Sequence, residues 1–237
     1  MKKINTTSVL WNMPKKIQLS KAPPRIPATL CHIELLGDEV FRIRLESPGF
    51  SWVPGDCIAV YAPNASGRSR PYSLSGAAGS ADVELWVRRF PDGLVSPYLT
   101  SCEAGDVVEI TPPFGWFRPG EPPESDKLYF ATGTGIAPFL SAISSGCALP
   151  RELFWGLKKP LNGFEIPPDI PLTVKLSRFG DSPGRITDEL SQITFTQGTH
   201  VYACGLDRMI EQVLGYFKEQ GLEESHLHRE VFFTEGA

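Results

Sequence analysis

The sequence predicts two domains, an antiparallel six-stranded β-barrel followed by an α/β domain built on a parallel sheet. Three observations carry that expectation. Six short runs of period-two alternation fill the first half, punctuated by glycine and proline turns. From residue 127 onward, apolar strands alternate with helical segments, which is the pattern of a parallel sheet. Between the halves, residues 119–125 (Pro-Gly-Glu-Pro-Pro-Glu-Ser) break both periods. The expected boundaries are a basic arm at 1–25, the barrel at 26–122 and the α/β domain at 123–237.

The arm carries Lys2, Lys3, Lys15, Lys16, Lys21 and Arg25, and the first 30 residues hold no acid. With a chain total of −4, everything after residue 30 therefore carries −10. An acidic body argues against nucleic-acid binding, whose affinity rests on neutralising phosphates. No apolar run reaches the length of a bilayer span, and Asn5-Thr6-Thr7-Ser8 interrupts any signal-peptide core. The five cysteines are scattered, with neither a Cys-x-x-Cys pair nor iron–sulfur spacing. A monomer in the reducing cytoplasm is expected, with any cluster used in electron transfer on another protein.

The barrel strands are expected at 28–36, 40–45, 56–61, through Arg70, 83–89 and 107–110, with 111–117 closing the barrel. Closure removes sheet edges. One helix interrupts the pattern, with Ser96 as N-cap and Pro97 at the first helical position. In the second half the strands are 127–131, 153–157, 172–176 and 200–205. A helix begins near Ser141, and another over 207–220 puts Met209, Ile210, Val213, Leu214 and Phe217 on one face. Such a sheet takes nucleotides at its carboxyl ends.

Four segments carry candidate chemistry. In Arg70-Pro71-Tyr72-Ser73, alternation puts Arg70 and Tyr72 on one face and Ser73 on the other. A guanidinium, a ring and a small hydroxyl suit a flat phosphorylated ligand, although an ordinary strand with one exposed arginine has the same wording. Gly93-Leu94-Val95-Ser96 precedes a helix start, where anions bind. Strand, then Gly133-Thr134-Gly135, then helix is an arrangement that lets backbone approach a pyrophosphate, with Pro138 standing where a third glycine is usual. Ser177-Arg178 and Arg185 are the remaining cationic candidates, and solvated loop arginines are the alternative. His226 and His228 lack a third ligand, so no metal is expected.

Taken together these segments resemble the ferredoxin–NADP(H) reductase family over roughly residues 28–235: Arg-x-Tyr-Ser at 70–73, Gly-x-x-Ser at 93–96, Thr-Gly-Thr-Gly-Ile-Ala-Pro at 132–138, Ser177-Arg178, Cys204-Gly205 and Glu230-Val231-Phe232-Phe233, in the family's order. The resemblance implies that the barrel binds flavin through Arg70, Pro71, Tyr72, Ser73 and the loop Gly93, Leu94, Val95 and Ser96, with FAD favoured over FMN. It implies that Thr132, Gly133, Thr134, Gly135, Pro138, Cys204 and Gly205 hold the nicotinamide nucleotide. Ser177, Arg178 and Arg185 would take a 2′-phosphate, favouring NADPH over NADH. Ser73, Cys204 and Glu230 would serve hydride transfer, and Phe232 or Phe233 would cover the flavin's second face. The implied partner is a one-electron carrier, ferredoxin or flavodoxin. The alternatives are an NADH-dependent oxygenase reductase component and a flavin-bearing subunit of a larger complex. The chain departs from the family in running on through residues 234–237. It departs again at 162–168, which is too short and proline-broken for a helix, so a trimmed nucleotide domain is expected.

Overall fold

A computed structural model describes residues 24–63, 67–147, 149–181 and 183–233; positions 1–23 of the expected arm lie outside them. β1 (Ile26–Gly37) and β2 (Val40–Glu46) form a hairpin around Asp38 and Glu39, both at positive φ (44° and 61°). That geometry matches the right-handed twist of the flanking strands. With β3 (Cys57–Tyr61), β4 (Ser69–Ser73), β5 (Asp82–Arg88) and β6 (Val107–Ile110) they make a sheet of order β4-β3-β6-β1-β2-β5. A bridge between Leu74 and Leu85 joins its two ends, and the Ser75 N–H donates to the Glu84 carbonyl at 2.9 Å. The barrel therefore closes, and alternate residues such as Ile43, Leu45, Val83, Leu85 and Val87 fill it.

The single-turn helix α1 (Ser96–Leu99) adds Leu99 to this core. Its capping differs from the expectation. Val95 is the N-cap, Ser96 is the first helical residue and Pro97 follows it. The Ser96 hydroxyl turns back and accepts the Phe90 N–H at 3.1 Å, so it fastens the preceding loop instead of capping the helix.

The second domain holds β7 (Asp126–Thr132), β8 (Glu152–Leu157), β9 (Leu172–Leu176), β10 (Thr199–Leu206) and β11 (Leu227–Phe233), all parallel, in the order β11-β10-β7-β8-β9. The sequence signals β11 only through its Glu-x-aromatic motif. The 3₁₀ segment Ile186–Gln192 has no sequence signal, because only Ile186 and Leu190 of its seven residues are buried and no helical stripe results. The helices are α2 (Ala137–Ser144), entered through a 3₁₀ turn at Gly133–Ile136, and α3 (Asp207–Glu219). Residues 158–171 form no helix, as their prolines imply. None of the described helices is long and apolar enough to cross a membrane.

Strand alternation sorts the second core into two faces. Leu128, Phe130, Phe154, Val201 and Ala203 pack on the Met209–Phe217 stripe of α3. Tyr129, Ala131, Trp155, Tyr202 and Cys204 face the other way, onto α2 and onto Leu36, Val40, Trp86 and Phe117 from the barrel side. The domains thus share one apolar layer. Trp86 meets Trp155 at 6.1 Å between ring centroids, and Phe117 meets Phe139 and Tyr202 edge-on at 5.7 and 5.8 Å. Residues 119–125 are tied down as well. The Tyr129 and Tyr202 hydroxyls donate to the Pro119 and Glu121 carbonyls, and the buried Lys127 ammonium donates to the Pro123 and Ser125 carbonyls at 3.2 and 3.0 Å. Phe117→Ala should lower stability by about 3–5 kcal/mol, the usual cost of emptying a phenyl site. Urea denaturation of the purified chain checks it; a loss below 1 kcal/mol would show that the shared layer tolerates a gap.

Candidate functional site

A continuous cleft of about 2240 Å³ runs between the barrel and the carboxyl ends of the parallel strands. Pockets for a single small ligand span roughly 300–1,000 Å³, so the cleft has room for two extended ones. The barrel side contributes Arg70, Pro71, Tyr72, Ser73, Gly93, Leu94, Val95 and Ser96. The sheet side contributes Thr132, Gly133, Thr134, Ser177, Arg178 and Arg185, with Glu230 where the two sides meet. Arg70 is exposed and Tyr72 half-buried against the barrel core, while Ser73 is buried. All three reach the cleft because β4 ends one side of the sheet.

At the meeting point three side chains converge on one carboxyl group. The Ser73 hydroxyl donates to Glu230 Oε2 at 2.8 Å, the Cys57 thiol donates to Oε1 at 3.4 Å, and the Cys204 thiol reaches Oε2 at 3.8 Å. Sheet register places them. Cys57 lies directly across from Ser73 on the β3–β4 hairpin, and Cys204 lies directly across from Glu230 on β10–β11. Burial raises the Glu230 pKa above the usual carboxylate value, and hydrogen bonds from Ser73, Cys57 and Cys204, then the Arg118 charge, offset part of that. Burial also raises both thiols, with the Glu230 charge adding to it.

Gly135, Pro138, Cys204 and Gly205 stand behind the cleft wall instead of lining it. A Cβ on Gly135 would sit 2.4 Å from the Cys204 carbonyl oxygen, and one on Gly205 (φ +130°) would sit 2.3 Å from Thr132 Oγ1. These glycines let the turn after β7 press against β10, which sets the fully buried Cys204 beneath Glu230. The Phe232 and Phe233 backbone belongs to β11, but their side chains lie outside the described residues.

Cations gather at the other end of the cleft. Arg178 and Arg185 are exposed there, and the Arg178 N–H donates to the Lys158 carbonyl at 3.1 Å. Burial, then the Arg88 and Arg178 charges, lowers the Lys158 pKa. Sequence reading missed Lys158, Cys57 and Trp116, the last lining the cleft at 72% exposure. Only strand register could have signalled Cys57, because it is set opposite Ser73. The histidines lie elsewhere: His200, His226 and His228 stack at the amino-terminal ends of β10 and β11, with centroids 4.2 and 5.2 Å from His200. Among the described residues no group of three ligand side chains is placed to hold a metal.

The chain joins a closed antiparallel barrel to a parallel sheet, with an extended cleft partly lined by cations between them, the two-domain frame of the FAD-binding oxidoreductase family. Residues 29–118 match the oxidoreductase FAD-binding domain family. The chain is 30% identical over 218 residues to ferredoxin–NADP reductase B of Sorangium cellulosum, covering 80% of this chain and 88% of that protein. It belongs to the ferredoxin–NADP(H) reductase family. It is also 27% identical over 215 residues to the reductase component of a naphthalene 1,2-dioxygenase system from Pseudomonas putida, covering 82% of this chain. There the match spans 64% of the relative, less than two thirds of its length. An Amycolatopsis cytochrome P450 reductase shares the fold, with a TM-score of 0.77 and 24% identity over 91% of this chain and 72% of that one.

Because Glu230 holds its proton more tightly in the folded chain than in the unfolded one, its contribution to stability is present at acid pH. That contribution is lost as pH rises through the raised folded value. Glu230→Gln has no such proton to lose, so the fall in stability from about pH 4 upward should flatten, as read from urea midpoints across a pH series. An unchanged slope would place Glu230 in a solvated setting.

Proposed function

We propose that this chain passes hydride from NADPH to FAD and then electrons to a protein carrier, ferredoxin or flavodoxin, with the reverse direction equally allowed. The observation that carries this reading is the Ser73–Glu230 hydrogen bond of 2.8 Å, which ties the barrel to the last strand of the sheet inside a cleft sized for two ligands. In the same reading the domains divide at 122/123.

The residues fit a flavin dinucleotide. Arg70 reaches the cleft, donates to the Ser69 carbonyl at 3.1 Å and meets no carboxylate among the described residues. The Tyr72 ring rests on the barrel core and keeps its phenolic proton, since burial raises its pKa. Arg70 would neutralise phosphate, Tyr72 would lie against the flat ring, and the backbone of Gly93, Leu94, Val95 and Ser96 would hold the diphosphate. Bound there, FAD would supply a two-electron acceptor for the nicotinamide's hydride and single-electron release to the carrier. The chain supplies placement. Ser73 presents its hydroxyl to the reacting edge and Glu230 fixes that hydroxyl's direction. Thr132, Gly133 and Thr134 take the nucleotide's pyrophosphate, with Gly135 and Pro138 shaping the turn. Cys204 and Gly205 keep the wall beneath the nicotinamide compact. Ser177, Arg178 and Arg185 grip the 2′-phosphate.

A second reading is an NADH-using reductase component of an oxygenase; its oxygenase part is favoured by the 27% identity to the naphthalene dioxygenase component, whose name covers both nucleotides. Arg178 separates the two. Arg178→Ala should raise the KM for NADPH ten- to a hundredfold, the effect of one charge-assisted hydrogen bond of roughly 1.5–3 kcal/mol, and leave that for NADH nearly unchanged. Equal effects on both nucleotides in a diaphorase assay would support the second reading. Arg70→Ala should release most of the flavin, read as the absorbance remaining after gel filtration; stoichiometric retention would remove Arg70 from the phosphate site.

A further inference from the structure

Cys57 opens β3, is 6% exposed and lines the cleft. Its sulfur lies 3.2 Å from Ser73 Oγ and 3.4 Å from Glu230 Oε1. The two carboxyl oxygens of Glu230 are served unequally. Oε2 receives the Ser73 hydroxyl and the Cys204 thiol, whereas Cys57 is the donor to Oε1 among the described residues. We propose that Cys57 is a positioning residue of the hydride-transfer site: its thiol anchors Glu230 Oε1 and so keeps Oε2 turned toward the Ser73 hydroxyl. This rests on the reading of the Ser73–Glu230 pair given above.

The reasoning is one of torsional freedom. The terminal torsion of a glutamate is broad and roughly two-fold, so a carboxylate held at a single oxygen swings about its last bond. Pinning both oxygens removes that swing, and with it the drift of the hydroxyl that Oε2 accepts. The thiol is suited to the task. Burial raises its pKa, so beside a carboxylate the sulfur keeps its hydrogen and remains a donor. An S–H is a weak donor, and the hold is accordingly long.

The other groups facing Glu230 come from separate elements. Cys204 comes from β10, and Arg118 acts through space while its guanidinium donates to Asp56 Oδ1 at 2.8 Å. Asp56, next to Cys57 in the chain, adds a smaller negative influence on that thiol. None of these donates to Oε1, and all remain in a Cys57 variant.

The test uses the full chain with FAD bound, mixed rapidly with NADPH, with flavin absorbance followed over a pH series. Cys57→Ala should retain stoichiometric FAD and slow reduction at saturating NADPH about tenfold, since small misplacements of reacting groups are costly. The half-saturating NADPH concentration should stay within about twofold, because no nucleotide contact is lost. The pH inflection of the reduction rate should move upward, because a donor to the charged carboxylate has gone. Cys57→Ser, a stronger donor of similar size, should restore the rate and bring the inflection to or below its original position. Wild-type rate and profile in Cys57→Ala would overturn the proposal, as would equal slowing in Cys57→Ala and Cys57→Ser. If Cys57→Ala does not fold, slowed reduction or an upward-shifted inflection in Cys57→Ser overturns it instead. Glu230→Gln, run alongside, separates the two claims. A slow Glu230→Gln with an unaffected Cys57→Ala removes Cys57 alone, while a wild-type Glu230→Gln removes the underlying reading of the site.

Discussion

Glu230 brings a half-buried carboxyl group to the place where the two sheets meet, and the tertiary arrangement around the cleft depends on how it is accommodated. An ionised carboxylate taken from water is costly unless hydrogen-bonded or paired. Here a hydroxyl and two thiols converge on it from three strands, and the guanidinium of Arg118 acts on it through space. The donors cannot assemble within one domain. Cys57 and Ser73 face each other on the barrel hairpin, Cys204 and Glu230 on the parallel sheet, and the cluster closes only when the two sheets dock.

Docking is held by packing of ordinary kind. The face of the parallel sheet that carries Tyr129, Trp155 and Tyr202 is covered by α2 and by barrel-side Trp86 and Phe117. Aromatic pairs at 5.7–6.1 Å lock their relative angle. Polar contacts add direction: the Ser141 hydroxyl donates to the Gly76 carbonyl at 2.8 Å and the Asn162 N–H to the Leu36 carbonyl at 2.8 Å. On the sheet side, Gly135 and Gly205 permit backbone contacts that any side chain would forbid. Apolar burial thus supplies the association, and the glycines and hydrogen bonds set the fine position of Cys204 and Glu230.

Charge is distributed against the average. Residues after 30 carry a formal −10, yet Arg70, Arg88, Lys158, Arg178 and Arg185 line one cleft. Asp38 pairs with Arg88, so part of the cationic field is already engaged; Asp188 accepts the backbone N–H of Arg185 at 2.7 Å. Arg70 and Arg178, at separate places in the cleft, have no such carboxylate contact among the described residues. A net charge describes solubility; a cleft's chemistry follows from which charges the fold gathers there.

Alternation and turn residues were enough to place the six barrel strands and four of the five parallel strands, because burying one face of a strand imposes a period of two. Helix α3 was legible for the same reason at a period of 3.6, and the prolines of 162–168 announced a missing helix. Local signals failed where partners were distant. Ser96 reads as a cap until the Phe90 N–H is seen to take its hydroxyl, and the Ile186–Gln192 turn has too few buried residues to show a stripe. Ser73, Cys204 and Glu230 were legible as separate motifs 157 and 26 residues apart, but their contact was not. Cys57 was invisible, because its place opposite Ser73 and beside Glu230 depends on strand register and domain docking. The sequence by itself determined the elements and the chemistry on offer, since those depend on near neighbours in the chain. Only the tertiary structure decided which groups meet, since that requires two sheets to pack and their registers to coincide.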